Sequence, residues 1–418
     1  MVYNGNMNGT KIKTAIVGGG ASGLMLAALL AENGDNILVL ERGERVGRKL
    51  SATGNGQGNI TNLAVTETEY FSSVPTGAER ARALLSAFDH RALTAFFERL
   101  GVLLLPDERG RVYPAGRQAS ALTDALRFYL ADAGVRTAAN ACVVAIEKRD
   151  RGFYLTAKTE RGTQGYEAEN VVLCTGGKAA KNFGTDGSAY VLATKLGHTV
   201  TPLTPSLVQL KTDTAHTKTL KGIRAADAEL TAHWTEKGEK KATSLQGDVI
   251  FTDYGVSGDA VFRISAFVTD KTEKGVTLTI DFLPAFTEEK IYATLTEKRR
   301  TFPSLAQTEL LGGIVNNQIG RAVMKRAGGD IREAALLVKA FPLRVTGTLG
   351  FDYAQVTKGG VPLAEVDENL QSKLVKGLYF AGEILDIDGQ CGGFNLQWAY
   401  SSACAVARAI GTKTRGQV

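Results

Sequence analysis

The chain has 418 residues, of which 44% are hydrophobic and 22% are charged, and 47 are glycine. This composition is ordinary for a globular protein of two or three domains, and it excludes collagen-like, disordered and disulfide-scaffold classes. The net charge is +6, but the lysines and arginines are scattered, with only short clusters at Lys237–Lys241 and Lys298–Arg300. Scattered cations favour a solvated surface, so we expect no nucleic-acid partner.

The four cysteines and four histidines show neither the spacing of a metal site nor that of a redox dithiol. We therefore expect no metal, and so few cysteines are typical of a reducing compartment. The segment Met1 to Lys13 is polar and lacks the apolar core of a signal peptide. The longest apolar run, Gly23 to Ala31, falls short of the roughly 20 residues that span a membrane. We expect a cytoplasmic protein with no membrane partner.

The first motif begins with a short apolar run, Thr14–Val17, which leads directly into the glycine-rich sequence Gly18–Gly23. A helical pattern follows as far as Asn33, and a second buried strand, Ile37–Leu40, ends at Glu41. Strand, glycine turn, helix, strand and acid in this order form the dinucleotide-binding fingerprint in its required context. A glycine turn in an ordinary α/β unit is the alternative.

Each glycine of this fingerprint has a physical task. Gly18 permits the tight turn, Gly20 lets the backbone approach a pyrophosphate, and Gly23 lets the helix pack closely on the strand. The helix N-terminus offers unpaired N–H groups and the positive end of a dipole to phosphate. The carboxylate of Glu41 is placed to accept hydrogen bonds from a ribose diol.

Further glycine-rich segments follow. Gly47–Asn62 brings backbone N–H groups and two cations together, which suits an extended anionic ligand; a solvated loop is the alternative. Short strands are predicted at Val143–Ile146, Phe153–Ala157, Gln164–Ala168 and Asn170–Leu173, the last ending in Cys174-Thr175-Gly176-Gly177. Near the C-terminus, Gly377–Glu383 repeats the theme of strand, glycine and acid. It is followed by Gly389–Gln397 and by a helix predicted to stop at Gly411.

These motifs resemble one family over nearly the whole chain. G-x-G-x-x-G, E-R, G-R-K-L, T-G-N-G-x-x-N-x-T-N, T-G-G, G-L-Y-F-A-G-E and G-G-F-N-L-Q-W-A, with F-T-D-Y-G-V-S-G at Phe251–Gly258, are similar to those of bacterial NAD(P)/FAD-dependent oxidoreductases. That family includes the 3-dehydro-bile acid Δ4,6-reductases and the aminoacetone oxidases. Its members commonly carry Cys where Gly58 stands and His where Asp253 stands, so no role of those side chains is carried over.

The resemblance implies non-covalent FAD and a set of residues that would bind it. The pyrophosphate would lie at Gly18, Gly20, Ala21, Ser22 and Gly23; the adenosine at Glu41, Arg42, Val143, Thr175 and Gly176; the ribityl–flavin side at Arg48, Lys49, Gly54, Asn55, Gly56, Asn59 and Thr61; the ribityl chain and phosphate at Gly382 and Glu383; and the flavin N1/O2 edge at Gly393, Phe394, Asn395 and Leu396. A helix N-terminus there stabilises the negative charge of reduced flavin by up to ~2 kcal/mol. Capping and packing are the alternative roles of Phe394 and Asn395.

The resemblance and the motif order imply an α/β fold with a Rossmann-like FAD-binding domain of the glutathione-reductase type. Because FAD elements lie at both chain ends, we expect residues 1–202 and 344–418 to form that domain and 203–343 to form an insertion. The first half of the insertion is predicted to form strands, at Leu207–Leu210, Ala228–Trp234, Asp248–Thr252 and Val276–Phe282. The second half is predicted to form helices, at Glu288–Lys298, Leu305–Ile319 and Ile331–Lys339. A second fingerprint for a nicotinamide domain is absent from the sequence.

Hydride or electron transfer at flavin N5 would be the work of the cofactor, with a substrate that enters between the insertion and the flavin. The candidate acid–base residues are Tyr254, Asp253, Tyr113 and Arg117; for each, a structural or surface role is the alternative. We expect an FAD-dependent oxidoreductase that reduces an activated C=C bond of a small organic molecule, with NADH or NADPH as a transient donor. The alternatives are an amine oxidase that uses oxygen and an RNA-binding flavoprotein.

Overall fold

The computed structural model describes residues 12–66 and 70–415, so most of the segment Met1 to Lys13 lies outside the described residues. The chain divides into two compact units. The first consists of Met1–Leu203 and Val356–Val418, and the second of Thr204–Gln355. Within the described ranges, no helix is long and apolar enough to cross a membrane.

The first stretch of the first unit alternates strands with helices. Its elements are β1 (Ile12–Val17), α1 (Ala21–Ala31), β2 (Ile37–Leu40), β3 (Thr61–Asn62), β4 (Tyr70–Phe71), α2 (Gly77–Ala87), α3 (His90–Arg99), β5 (Leu104–Pro106), β6 (Arg111–Pro114), α4 (Ser120–Asp132), β7 (Arg136–Ala138), β8 (Cys142–Arg149), β9 (Gly152–Thr159), β10 (Gly162–Leu173) and α5 (Tyr190–Lys195). β2 is buried along its whole length, as is typical of a strand covered on both faces of a parallel sheet.

The second unit combines a closed barrel with helices that lie, in the chain, between the barrel strands. Its elements are β11 (Thr204–Ser206), β12 (Leu210–Thr212), β13 (Arg224–Glu236), β14 (Glu239–Phe251), β15 (Gly255–Ser257), α6 (Asp259–Val268), β16 (Thr277–Asp281), α7 (Glu288–Thr301), α8 (Asn317–Arg326), α9 (Ile331–Lys339) and β17 (Phe341–Thr348). The barrel closes in the order β12-β15-β14-β13-β16-β17. Along β13, the buried residues Ala228, Leu230 and Ala232 alternate with more exposed ones, as the period of a strand requires.

Three predictions for this region are wrong. The predicted helix Leu305–Ile319 is broken by turns, and α8 begins only at Asn317, because Gly313 takes a left-handed φ of +79°. The predicted strand at Leu207 begins instead at Leu210, since Leu207 itself has a φ of +54°. The predicted return to the first unit at 344 falls inside β17, which closes the barrel, so the second unit extends to Gln355.

The last stretch of the chain returns to the first unit. Its elements are β18 (Val356–Lys358), β19 (Leu378–Phe380), β20 (Asp388–Gly389) and α10 (Phe394–Arg415). The central sheet has the strand order β7-β2-β1-β10-β9-β8, with β19 also paired to β10. The C-terminal half of β10 lies between β1 and β19, and both pairings are parallel. The two ends of the chain therefore meet in one sheet.

Two predictions for this unit also need correction. The strands predicted at Gln164–Ala168 and Asn170–Leu173 form one continuous strand, β10, whose first half pairs with β9 and whose second half pairs with β1. The last helix continues through Gly411 to Arg415. A Cβ on Gly411 would lie 2.9 Å from the side-chain nitrogen Nδ2 of Asn33, so this glycine allows close packing inside the helix and does not end it.

Candidate active site

The glycine turn of the fingerprint lies at the carboxyl edge of the central sheet, where ligands bind in open α/β sheets. Gly18 has a φ of +107°, and its N–H donates to the carbonyl of Leu40, 2.8 Å away. A Cβ on Gly23 would overlap the carbonyl oxygen of Gly18, so this close approach requires glycine. The predicted tasks of Gly18 and Gly23 within the turn are confirmed.

The carboxylate of Glu41 follows β2 at the same edge. Its Oε2 accepts a hydrogen bond from Gly19 N at 2.8 Å, and its Oε1 accepts one from Gly43 N at 2.7 Å. Each oxygen keeps a second lone pair, so these bonds leave room for a ribose hydroxyl. Ala141 N donates to the carbonyl of Glu41, which brings the segment that leads to the buried Val143 to this edge.

Cations that follow β2 bridge to other segments of the same unit. Arg42 forms two hydrogen bonds with Asp186, at 2.8 and 3.0 Å, and these hold the pKa of that carboxyl well below its usual range. Lys49 Nζ lies 2.7 Å from Glu383 Oε2. Arg48 donates to the carbonyl of Asn182. These bonds link the segments that carry the predicted adenosine and ribityl residues. We call the linked segments, 42–49, 182–186 and Glu383, the rim of the site.

The loop around residue 56 has a run of left-handed backbone. Gly54, Asn55, Gly56 and Gly58 have φ values of 58°, 54°, 82° and 80°. A Cβ on Gly58 would lie 2.8 Å from the Cα of Ala119, so the cysteine that the family commonly carries does not fit this backbone. The local backbone conformation thus explains why this chain has glycine at position 58, where the family commonly has cysteine.

Two predicted flavin-side residues are buried and bonded to the protein. Asn59 donates to the carbonyls of Thr61 and Val112, at 3.0 and 3.1 Å. The hydroxyl of Thr61 donates to Gln397 Oε1 at 2.5 Å. Both side chains tie the loop to its neighbours, and direct contact with FAD stays a prediction for them.

The C-terminal segment meets the first turn of α1. Ser22 donates to the carbonyl of Ala381 at 3.3 Å, and Trp398 donates to the carbonyl of Gly382 at 3.2 Å. The backbone N–H of Gly382 donates to Ser402. The glycine turn and the start of the last helix are thus neighbours, as the prediction of a site shared by both chain ends requires.

The start of α10 is held by its own loop. Asn395 accepts from Gly389 N and donates to Gly389 O, both at 2.8 Å. Asn62 donates to the carbonyl of Gly392 at 3.1 Å, and α10 begins at Phe394 as predicted. Leu396, in the first turn, is half-buried. A helix of this length presents unpaired N–H groups and a positive dipole end at its start.

One buried hydroxyl at this edge tests whether the residues suit FAD. Thr175 follows β10, and in the described part of the chain its Oγ1 is buried without a hydrogen-bond partner. The first turn of α1 carries no acidic residue, and its N-cap, Gly20, offers no side-chain cap for the helix N–H groups. An orphaned hydroxyl and free donors together fit a ligand rich in phosphate and hydroxyl oxygens, as FAD is. Gly176, with a φ of +70°, turns the chain beside Thr175.

The acid–base candidates fall in different units. In the first unit, the guanidinium of Arg117 lies 4.0 Å from the ring centroid of Tyr113, and burial raises the pKa of that phenol. In the second unit, Asp253 forms an exposed ion pair with Lys221 at 2.7 Å, and Tyr254 is half-buried in the turn between β14 and β15. A catalytic role stays a prediction for all four candidates.

Sequence reasoning missed Thr357, which organises the rim. Its hydroxyl accepts from Lys178 N and Ala179 N, at 2.7 and 2.9 Å, and its own N–H donates to Glu383 Oε1 at 2.9 Å. No local pattern marks this residue, because its partners lie far away in sequence. Gln397 was also missed as a site residue: it links the start of α10 to the carbonyl of Phe88 and to Thr61. The quoted N-L-Q-W-A motif was the signal for it.

Comparison with known proteins identifies a family and relatives that match nearly the whole chain. The family described as HI0933-like protein Rossmann domain matches residues 12–409. The 3-dehydro-bile acid delta(4,6)-reductase of Clostridium scindens is 33% identical over 95% of this chain and 98% of that protein. The ribosomal RNA dihydrouridine synthase of Haemophilus influenzae is 28% identical over 94% of this chain and 97% of that protein.

A solved structure also shares the fold. The 3-ketosteroid-delta4-(5alpha)-dehydrogenase of Rhodococcus jostii superposes with a TM-score of 0.52 at 16% identity, over 96% of this chain and 98% of that one. The expected family resemblance, the α/β Rossmann-like fold and the enzyme class are confirmed. The chain belongs to the HI0933-like Rossmann-domain family and is an FAD-dependent oxidoreductase.

Proposed function

We propose that this enzyme reduces a C=C bond conjugated to a carbonyl group in a small organic substrate, with NADH or NADPH as the electron donor. The observation that carries the proposal is the similarity, over 95% of the chain, to a protein named as a delta(4,6)-reductase. The orphaned hydroxyl of Thr175 and the uncapped start of α1 support a resident dinucleotide. Bound FAD supplies the capacity to accept and donate hydride.

The residues of the chain have the tasks of binding and orientation. The N–H groups at the start of α1 bind the pyrophosphate, and Thr175 and Glu41 bind hydroxyl groups of the adenosine half. The start of α10 would face the pyrimidine edge of bound flavin, where a helix N-terminus would stabilise negative charge by up to ~2 kcal/mol. Tyr113 and Arg117 are the acid–base candidates in the same unit. Burial raises the pKa of the Tyr113 phenol further above neutrality, so this phenol is protonated at neutral pH.

Anaerobic titration of the purified holoenzyme tests this proposal. We expect NADH or NADPH to bleach the flavin absorbance, and an α,β-unsaturated ketone to restore it. NADH and NADPH are titrated separately, so that the preferred donor is identified by its rate of bleaching. Absence of bleaching, together with release of peroxide when amines and oxygen are supplied, would show an amine oxidase instead.

The names of other relatives favour one second candidate. The ribosomal RNA dihydrouridine synthases of Haemophilus influenzae and Escherichia coli are each 28% identical to this chain over 94% of its length. Uracil also contains a C=C bond conjugated to a carbonyl, so the same reduction applied to RNA would yield dihydrouridine. Incubation with ribosomal RNA and reduced nicotinamide, followed by mass analysis of nucleosides, tests this candidate. A steep fall of RNA binding with salt would accompany it.

A further inference from the structure

A fully buried carboxylate lies between β19 and β20, in the segment that leads to α10. Asp386 has no exposed surface. Its Oδ2 accepts hydrogen bonds from Ser73 N at 3.0 Å and from Ser72 Oγ at 3.4 Å, and its Oδ1 accepts one from Ser73 Oγ at 3.4 Å. All its hydrogen-bond donors are neutral, and among the described residues none forms an ion pair with it.

A buried acid without a cation is costly, so its presence here calls for a reason beyond packing. Burial raises the pKa of Asp386 to about 6, and the hydrogen bonds from Ser72, Ser73 and Thr201 offset only part of that cost. The position of the carboxylate within the unit suggests what it does.

The hydrogen bonds of Asp386 lie at one end of a short two-stranded ribbon, which is formed by β4 and β20. In this ribbon Asp388 pairs with Phe71, and Gly389 pairs with Tyr70. At its far end the hydroxyl of Tyr70 donates to the carbonyl of Phe394, the first residue of α10, at 3.2 Å. The rings of Tyr70 and Phe394 also meet edge to face, with centroids 6.2 Å apart. Asp386 fixes one end of the ribbon, and the first turn of α10 is attached to the other.

We propose that Asp386 is a positioning residue, which sets the first turn of α10 against bound FAD through the β4–β20 ribbon. The inference rests on the proposed placement of FAD at the start of α10. It assigns no contact between the carboxylate and the cofactor. Because a helix dipole acts over about one turn, a small displacement of that turn changes the stabilisation of a charged ligand.

The test compares Asp386→Ala and Asp386→Asn in the full-length protein. We expect Asp386→Ala to weaken FAD binding to the apoprotein by at least about fivefold and to shift the flavin midpoint potential in the negative direction. Asp386→Asn keeps one acceptor oxygen for Ser73 N, so its effect is smaller. Tyr70→Phe removes the link at the far end of the ribbon and shifts both readouts in the same direction, which keeps the test decisive if Asp386→Ala does not fold.

Ser372→Ala is the matched control. Ser372 is buried in the same unit, bonds to His198 at 2.7 Å and takes no part in the ribbon. We expect its loss to lower the unfolding temperature and to leave the FAD affinity and the flavin potential unchanged. If the Asp386 variants behave like this control, with lowered stability and unchanged FAD affinity and potential, the inference is wrong. If Asn395→Ala, in the first turn itself, also leaves both readouts unchanged, the placement of FAD is wrong and the inference fails with it.

Discussion

The hydroxyl of Thr175 costs the fold free energy that a bound ligand would offset. Thr175 Oγ1 is buried and without a partner among the described residues, although it lies at the edge of the sheet where the other predicted FAD residues converge. An unsatisfied buried hydroxyl costs roughly 1–3 kcal/mol in the absence of ligand. Such a cost at this edge is understandable if a ligand oxygen completes the bond.

Replacement of Thr175 by Val should therefore separate stability from binding. We expect the free energy of unfolding of the apoprotein to rise by roughly 1 kcal/mol, measured by denaturant unfolding. We expect FAD to bind about threefold to tenfold more weakly. Thr14→Val is the matched control, because Thr14 Oγ1 is also buried and unpartnered within the described chain but lies in the middle of β1. Equal loss of FAD affinity in both variants would contradict the role of Thr175.

Asp386 gives the stability of the protein a defined pH dependence. Burial raises its pKa from 3.8 to about 6, so the folded state favours the protonated form. Its contribution is fully present below pH 3.8 and is lost as the pH rises through 6; the difference corresponds to roughly 3 kcal/mol. Tyr190, which faces Asp386, has its pKa raised by burial and stays neutral in this range.

Urea unfolding between pH 4 and pH 7.5 measures this dependence. Carboxylates with lowered pKa, such as Asp186 and Glu365, act in the opposite direction, so the wild type must be compared with Asp386→Asn. We expect the stability of the variant relative to the wild type to rise with pH across this window. A constant difference would show that Asp386 titrates as it does in the unfolded chain.

At the scale of elements, local signals succeed where capping and periodicity agree. The predicted helix Ile331–Lys339 matches α9 at both ends, since Asp330 caps it by accepting from Glu333 N at 2.8 Å. The segment Leu305–Ile319 also carries regularly spaced apolar residues, but its paired glycines favour turns. Hydrophobic spacing alone therefore predicts burial more reliably than it predicts a helix.

The cap of α9 can be tested by substitution. We expect Asp330→Ala to lower the free energy of unfolding by about 1 kcal/mol, because the N–H of Glu333 loses its acceptor. FAD affinity should not change, since both residues belong to the second unit. The control is Asp352→Ala in an exposed turn, with an expected change within about 0.5 kcal/mol. An equal effect of the two substitutions would exclude a capping contribution.

At the scale of the whole molecule, FAD should stabilise both chain ends together. FAD at a free concentration of about 100 times its Kd adds roughly 2.7 kcal/mol to the free energy of unfolding. Because β10 lies between β1 and β19, we expect amide hydrogen exchange to slow in all three strands when FAD is added. Protection limited to β1 would mean that the C-terminal return takes no part in the site.

The sequence by itself determined the fingerprint turn, the acid after β2 and the start of the last helix. Each depends on residues close together in the chain, namely the glycines at 18 and 23, Glu41 and the segment at Gly393, whose local conformations are fixed by backbone sterics and short hydrogen bonds. The family motifs extended this to the cofactor and the enzyme class. Gly58, which departs from the family, has a backbone that only the structure explains.

Only the tertiary structure decided which distant segments meet. The bonds of Thr357 to the loop at 178 and to Glu383, and those of Asp386 to Ser72 and Ser73, join positions that share no local pattern. The extent of the second unit was decided in the same way, because β17 completes the barrel only by pairing with β12 and β16. Such contacts are selected by the burial and hydrogen bonding of the whole unit, and neither is encoded within one stretch of chain.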